Sequence, residues 1–325
     1  MTSFDFDACV VGAGAVGLAC GFALARRGLS VVVLEKERAI GQGVSSRNSE
    51  VVHAGLYYPT GSLKARLCVD GRRRLYVFLD GHSVAYRKCG KLVVATDEDA
   101  TERIDAIHGQ ATANGVEGVV RLTGGQAMGM APGLKATAAL WSPESGIFDS
   151  HGYMSALQGR IEDLGGVVVP LTPFDRATLR DAGGFEVAVG GETPTLVTTR
   201  LLVNAAGLGA QTVASRIESF PSALIPRLHY GKGVYFRLNG RAPFESLIYP
   251  PPIQGALGTH YRKDLGGQAV FGPDLSFVDH EDYSVDPARA ATFEAYIRKF
   301  WPGLPNDALI PALLKIDTRP LTRAQ

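Results

Sequence analysis

The sequence predicts an α/β chain, α+β overall, in which a Rossmann-like parallel-sheet unit carries an inserted antiparallel, β-rich unit. Three observations lead there. A short apolar strand runs into a glycine-spaced turn and a helix within the first 30 residues. A second apolar strand follows at once and ends on an acid. Farther on, helix-and-strand segments are interrupted by two stretches of short strands, roughly 81–148 and 221–305. The expected division is 1–80 with 149–220 and 306–325 for the first unit, and 81–148 with 221–305 for the second.

The N-terminal unit is the most explicit. Ala8–Val11 reads as a buried strand, Gly12-Ala13-Gly14-Ala15-Val16-Gly17 as a tight turn, and Leu18–Arg27 as a helix that Gly28 can end. Ser30–Leu34 is the second strand, closed by Glu35 and Lys36. Gly12 permits the turn, Gly14 lets backbone approach a pyrophosphate, and Gly17 lets the helix pack closely on the strand. The helix N-terminus presents free N–H groups and the positive end of a dipole to phosphates. Glu35 is placed to accept hydrogen bonds from ribose hydroxyls. Residues 8–25 carry no charge, yet Asp5 and Asp7 precede them where a signal peptide has basic residues, and four glycines interrupt them. A cofactor turn explains them better than a membrane span, and no other apolar stretch is long enough to cross a bilayer.

The fingerprint does not separate NAD from FAD. The polar run Gly41–Ser49 after it either follows an extended cofactor, with Ser, Arg and Asn donors, or is a solvated surface loop. Leu63, Leu67, Leu75 and Phe78 recur at helical spacing, so Ser62–Leu79 is expected as a helix, with Gly71 at a close contact and Arg72–Arg74 on a solvated face, an anion patch being the lesser alternative. Lys91–Ala95 reads as a strand, Asp97–Asn114 and Tyr153–Leu164 as helices, and Phe185–Val189 with Thr195–Val197 as a hairpin. Leu201–Gly207 is a buried strand running into a small-residue turn where a ligand can come close, or an ordinary strand end. Short strands are expected at Val234–Phe236, Leu247–Tyr249, Gly258–Tyr261 and Ala269–Phe271, and a helix at Pro287–Phe300.

Composition narrows the function. With 46% hydrophobic and 20% charged residues the chain is not disordered, and a net charge of +1 argues against a nucleic-acid binder. Cys9, Cys20, Cys68 and Cys89 form no CxxC pair and no metal-like spacing with histidine. Reduced, packed thiols in a cytoplasmic protein are expected, with peripheral membrane contact left open.

The segments Ser45–Pro59, Gly61–Cys68, Cys89-Gly90-Lys91-Leu92, Ser142–Gly146, Leu247–Pro250, Asp264–Gln268 and Phe271–Asp274 carry a resemblance. The chain resembles FAD-dependent oxidoreductases of the D-amino-acid-oxidase superfamily, and most of all the L-2-hydroxyglutarate dehydrogenase/oxidase branch. The likeness runs from Val10 to about Pro305. It implies an FAD-binding domain, a substrate domain, and a flavin ring at their junction; some relatives attach flavin through a histidine in a similar segment, and non-covalent FAD is expected here. Gly12, Gly14, Gly17, Glu35 and Lys36 would hold the ADP half. Ser45, Ser46 and Asn48 would line the diphosphate and ribityl region, Ala206 and Gly207 would approach by backbone, and His53 would sit near the ring.

Oxidation of a 2-hydroxy acid needs a base for the hydroxyl proton and groups that hold the carboxylates. His260 is the first candidate base and His53 the second; for each, a hydrogen-bonded, non-catalytic histidine is an equal alternative. Tyr57, Tyr58, Tyr249, Lys232 and Arg319 are candidate substrate contacts. Arg262 is another, although the family usually has a different residue there. Partly buried packing with a polar tip is the first reading of the tyrosines, and substrate contact the second. A quinone, an electron-transfer protein or oxygen is the expected electron acceptor. The C-terminus departs from the family: Arg319-Pro320 arrives about two residues late, and a final strand, turn and helix are expected to be missing, leaving part of a sheet face uncovered. Two rivals follow, a glycine- or sarcosine-like amino-acid oxidase and a truncated, non-catalytic remnant.

Overall fold

The computed structural model describes residues 4–218, 220–252 and 259–318. In chain order, the first part contains β1 (Phe6–Val11), α1 (Ala15–Ala25), β2 (Val31–Leu34), β3 (Val51–Val52), α2 (Leu63–Gly81), β4 (Tyr86–Arg87), β5 (Lys91–Ala95) and α3 (Glu98–Ala113). The middle contains β6 (Val120–Thr123), α4 (Gly124–Met130), β7 (Ala138–Ser142), β8 (Gly146–Phe148), α5 (Ser150–Asp163), β9 (Val167–Val169), β10 (Phe174–Leu179), β11 (Phe185–Val189), β12 (Thr195–Asn204) and α6 (Ala210–Ser215). The last part contains β13 (Tyr230–Leu238), β14 (Leu247–Tyr249), β15 (Tyr261–Lys263), β16 (Ala269–Val278), α7 (Ala290–Phe300) and β17 (Leu309–Thr318).

A six-stranded sheet has the order β10-β11-β12-β1-β2-β9. Strands β12, β1, β2 and β9 are parallel, and β10-β11-β12 form an antiparallel meander. All four residues of β2 are buried, as a strand covered on both faces requires. Val10, Val31 and Val33 pack with Leu18 of α1 and Leu157 and Ile161 of α5. Cys9, Val11, Val32 and Leu34 point the other way, toward Phe174, Val187 and Val213.

The second sheet has eight strands in the order β17-β13-β16-β15-β14-β5-β7-β6, and a small third sheet joins β3, β8 and β4. This sheet is antiparallel, as expected, at every neighbouring pair but β5 and β14, which are parallel. They come from distant parts of the chain, so no hairpin dictates their direction. The segment from 306 onward was expected in the first unit. Its strand β17 instead pairs along β13 in the larger sheet. One face of this sheet packs Leu92, Val94, Val234, Phe236, Ile248, Tyr261 and Phe271 against Phe293, Ile297 and Phe300 of α7. The opposite face carries Val93 and Ala95 against α3 and the 54–56 segment, and Leu247 and Tyr249 against Ile147.

Helix α2 departs from its expected orientation. Its buried residues are Ala65, Val69, Arg72, Tyr76 and Leu79, while Leu63 and Leu67 are 62% and 57% exposed. The leucines mark the spacing correctly but lie on the neighbouring stripe. Arg72 is buried, not solvated: it pairs with Glu117 and with Glu144 at 3.0 Å. Gly71 makes no close approach, for a Cβ there would meet nothing within 4 Å.

Candidate active site

Two places gather the expected residues. The first is the head of α1. Gly12 has φ +101°, and a Cβ there would come within 2.6 Å of Ala205 O. A Cβ on Gly17 would overlap Gly12 O, so neither position tolerates a side chain. Ala205 N–H donates to Val11 O at 2.9 Å, which seats the Asn204–Gly207 turn beside the glycine turn. Asn204 shapes that turn: its Oδ1 accepts from Ala206 N–H, and its Nδ2 donates to Ala210 O. Gly207 has φ +57° and open space around its Cβ position.

Glu35 is buried. One carboxylate oxygen accepts from Ala13 N–H at 2.9 Å and the other from Glu37 N–H at 3.0 Å. Each oxygen keeps a further lone pair for a ligand hydroxyl. Ser45 Oγ accepts from Ala15 N–H at 3.0 Å and would lie 2.9 Å from a Cβ on Gly14. Ser46 Oγ donates to Gly43 O, and Asn48 Nδ2 donates to Ser45 O at 2.6 Å, so both side chains organise the loop. Lys36 is exposed and pairs with its neighbour Glu37, 3.5 Å away. The head of α1 is therefore glycine backbone bordered by Ser45, with the buried Glu35 carboxylate held against the turn through Ala13.

The second place is the face of the eight-stranded sheet turned away from α7. Tyr249 of β14 stacks on His260, with ring centroids 3.7 Å apart and planes 8° from parallel. Lys91 of β5 is fully buried, with its ammonium 4.2 Å from the Tyr249 ring centroid and 5.7 Å from that of Tyr57. Arg262 flanks Tyr261, whose ring fills the α7 core, so alternation sends Arg262 to the same face as Tyr249. Lys91 Nζ, Arg262 Nε and Nη1, and the Tyr57 hydroxyl are all buried without a hydrogen-bond partner.

Burial dominates the electrostatics here. It lowers the Lys91 ammonium to about 8 against weak opposing pulls from Cys68 and Cys89. It raises the thiols of Cys68 and Cys89, pushes Tyr58 up to about 12, and holds Tyr57 and Tyr249 higher still. These neighbours are neutral at physiological pH, and among the described residues no carboxylate pairs with Lys91 or Arg262.

Tyr58 is coupled electrostatically to Tyr57 and Tyr249 of this cluster. Lys232 is tied to Asp282 at 2.5 Å and to Ser284, on the side of β13 that bears Val234. Its charge is therefore already neutralised. Tyr58 lies under Lys64, 4.7 Å from its ring centroid. His53 is exposed, and its backbone oxygen accepts from Cys68 Sγ. Arg319 lies outside the described residues. Sequence reasoning passed over Lys91, although the signal was present: a lysine opens an otherwise apolar strand, and the two-residue period sets it with inward-facing Val93 and Ala95.

A profile of the family described as FAD dependent oxidoreductase (DAO) matches residues 7–316. The chain belongs to this family. FAD is its cofactor, and the turn at α1 fits that group: Gly12 and Gly17 have no room for a side chain, and the buried Glu35 carboxylate keeps lone pairs for a ribose hydroxyl. This FAD-dependent oxidoreductase is 37% identical to the mitochondrial L-2-hydroxyglutarate dehydrogenase of Arabidopsis thaliana, over 94% of the chain and 71% of that relative. It is 32% identical to the enzyme of that name from Caenorhabditis elegans, over 86% of the chain and 66% of the relative. The chain thus spans about two thirds of these relatives' length. Among solved structures it is similar to the L-alpha-glycerophosphate oxidase of Mycoplasma pneumoniae with FAD bound (TM-score 0.86, 20% identity, 98% of this chain and 84% of that one). It is also similar to a glycine oxidase of Geobacillus kaustophilus (TM-score 0.79, 20% identity, 98% and 83%). At that identity the likeness is one of fold. No helix among the described residues is long and apolar enough to cross a membrane.

Proposed function

We propose that this oxidoreductase converts L-2-hydroxyglutarate to 2-oxoglutarate. The observation that carries the reading is the His260–Tyr249 stack beside the buried Lys91 ammonium, which pairs with no carboxylate among the described residues. An imidazole and a positive, water-poor wall are what a hydroxy acid anion needs, and the relatives' names supply the substrate. Gly12, Gly14, Gly17, Glu35, Ser45, Ala206 and Gly207 would hold FAD. When bound, FAD supplies the two-electron acceptor for the hydride on C2.

The chain's own residues do the rest. His260 accepts the C2 hydroxyl proton on its imidazole, which Tyr249 orients by stacking. An imidazole can take up and release a proton in this way. Lys91 and the tyrosine hydroxyls favour the anionic substrate and exclude water. The electrons leave to a quinone, an electron-transfer protein or oxygen. A cytoplasmic location stays part of this proposal: four free cysteines suit a reducing compartment, while both relatives above are named mitochondrial.

The test is an anaerobic visible spectrum before and after addition of L-2-hydroxyglutarate. The flavin absorbance should bleach. His260→Ala should bleach at least about 100-fold more slowly. No bleaching of the parent protein would sink the substrate assignment, and an unchanged rate in the variant would remove His260 as the base.

A further inference from the structure

The second sheet buries two cations on the Tyr249 face, and a hydroxy monoacid would engage only one of them. Lys91 sits deep, enclosed by the rings of Tyr57 and Tyr249. Arg262 is held on β15 by its neighbour's ring and by pairing with Val270. Its Nε and Nη1 are buried without a partner, although arginine has five donors in a rigid fork suited to a carboxylate. An unpaired guanidinium at this depth is costly. Every other buried cation on the larger sheet or on α2 that the structure describes has an acidic partner: Lys232 has Asp282, and Arg72 has Glu117 and Glu144. Arg262 and Lys91 break that pattern together, on one face, beside the same tyrosine.

We propose that Arg262 is a specificity-determining residue, which holds the second carboxylate of a dicarboxylate substrate while Lys91 supplies the positive field behind Tyr249. This rests on the 2-hydroxyglutarate reading and adds to it the residue that separates a dianion from a monoanion of equal length. Arg262 binds and Lys91 positions; neither needs to transfer a proton.

The experiment uses the FAD-loaded protein and two unreactive five-carbon probes, glutarate and pentanoate, with binding followed by thermal shift and flavin spectral perturbation. The parent should bind glutarate clearly better than pentanoate. Arg262→Gln should weaken glutarate about 30-fold and pentanoate less than about threefold. Arg262→Lys should restore part of the glutarate preference, and it keeps the test sound if the glutamine variant folds poorly. Lys91→Met should weaken both probes. A parent that prefers glutarate together with an Arg262→Gln variant that keeps the full preference overturns the role of Arg262 alone. A parent that does not distinguish the probes overturns the dicarboxylate reading and this assignment with it.

Discussion

At the head of α1, Glu35, Ser45 and the N–H groups of Ala13, Ala15 and Glu37 are paired with one another. On the inner face of the larger sheet, Lys91, Arg262 and the Tyr57 hydroxyl are buried with no such partners. The first region is made of backbone and short side chains. Its polar groups already have protein partners, so it stabilises the fold on its own. The second concentrates unpaired charge, which destabilises a folded chain unless something anionic enters. A cofactor that stays can be met by a prepaired cradle. A substrate that must come and go is better met by groups whose partners arrive with it.

The largest effect expected from breaking this contrast is at Gly17. A methyl group there overlaps Gly12 O, which is backbone and cannot swing aside. Gly17→Ala should cost about 3 kcal/mol and leave the purified protein largely without flavin. The ratio of flavin to protein absorbance checks this, together with a urea unfolding midpoint. Normal flavin content would mean that the helix–strand contact is looser than the geometry requires.

Lys91 offers the opposite result, a substitution that stabilises. Burial lowers its pKa from the usual 10.5 to about 8. Below about pH 8 both folded and unfolded chains carry the proton, and the folded state bears the full cost of the buried charge. Between about 8 and 10.5 the folded state releases a proton that the unfolded chain still holds, so stability rises with pH. The difference corresponds to roughly 3 kcal/mol at most. Lys91→Met should therefore be more stable than the parent at pH 7, with an advantage that fades as pH rises through that window. Urea midpoints at pH 7, 9 and 10.5 measure it. An advantage independent of pH would assign the gain to packing instead of charge.

The two regions also differ in how far the sequence discloses them. The cradle is local: Gly12, Gly14, Gly17 and Glu35 fall within 24 residues, and each has one physical reason to be where it is. The helices and most strands follow from the same short-range logic, including the Ser62 and Asp97 caps of α2 and α3. The second region depends on the parallel pairing of β5 with β14, which sets Leu247 opposite Lys91 across more than 150 residues. Nothing local in either strand specifies that neighbour. Lys232 shows the same limit from the other side: its lysine looked available, and only the fold brings Asp282 to it.

Helix α2 allows the smallest and sharpest test of glycine as a structural requirement. Gly71 sits inside the helix with open space where a Cβ would go, in contrast to Gly17 in α1. Glycine there gives the unfolded chain extra freedom and contributes no contact. Gly71→Ala should raise stability by about 0.8 kcal/mol and leave flavin content and turnover unchanged. The same chemical change would then act in opposite directions at two helical glycines, decided only by what lies within reach of one methyl group. A loss of turnover at unchanged stability would show instead that the open space beside Gly71 is needed by the working enzyme.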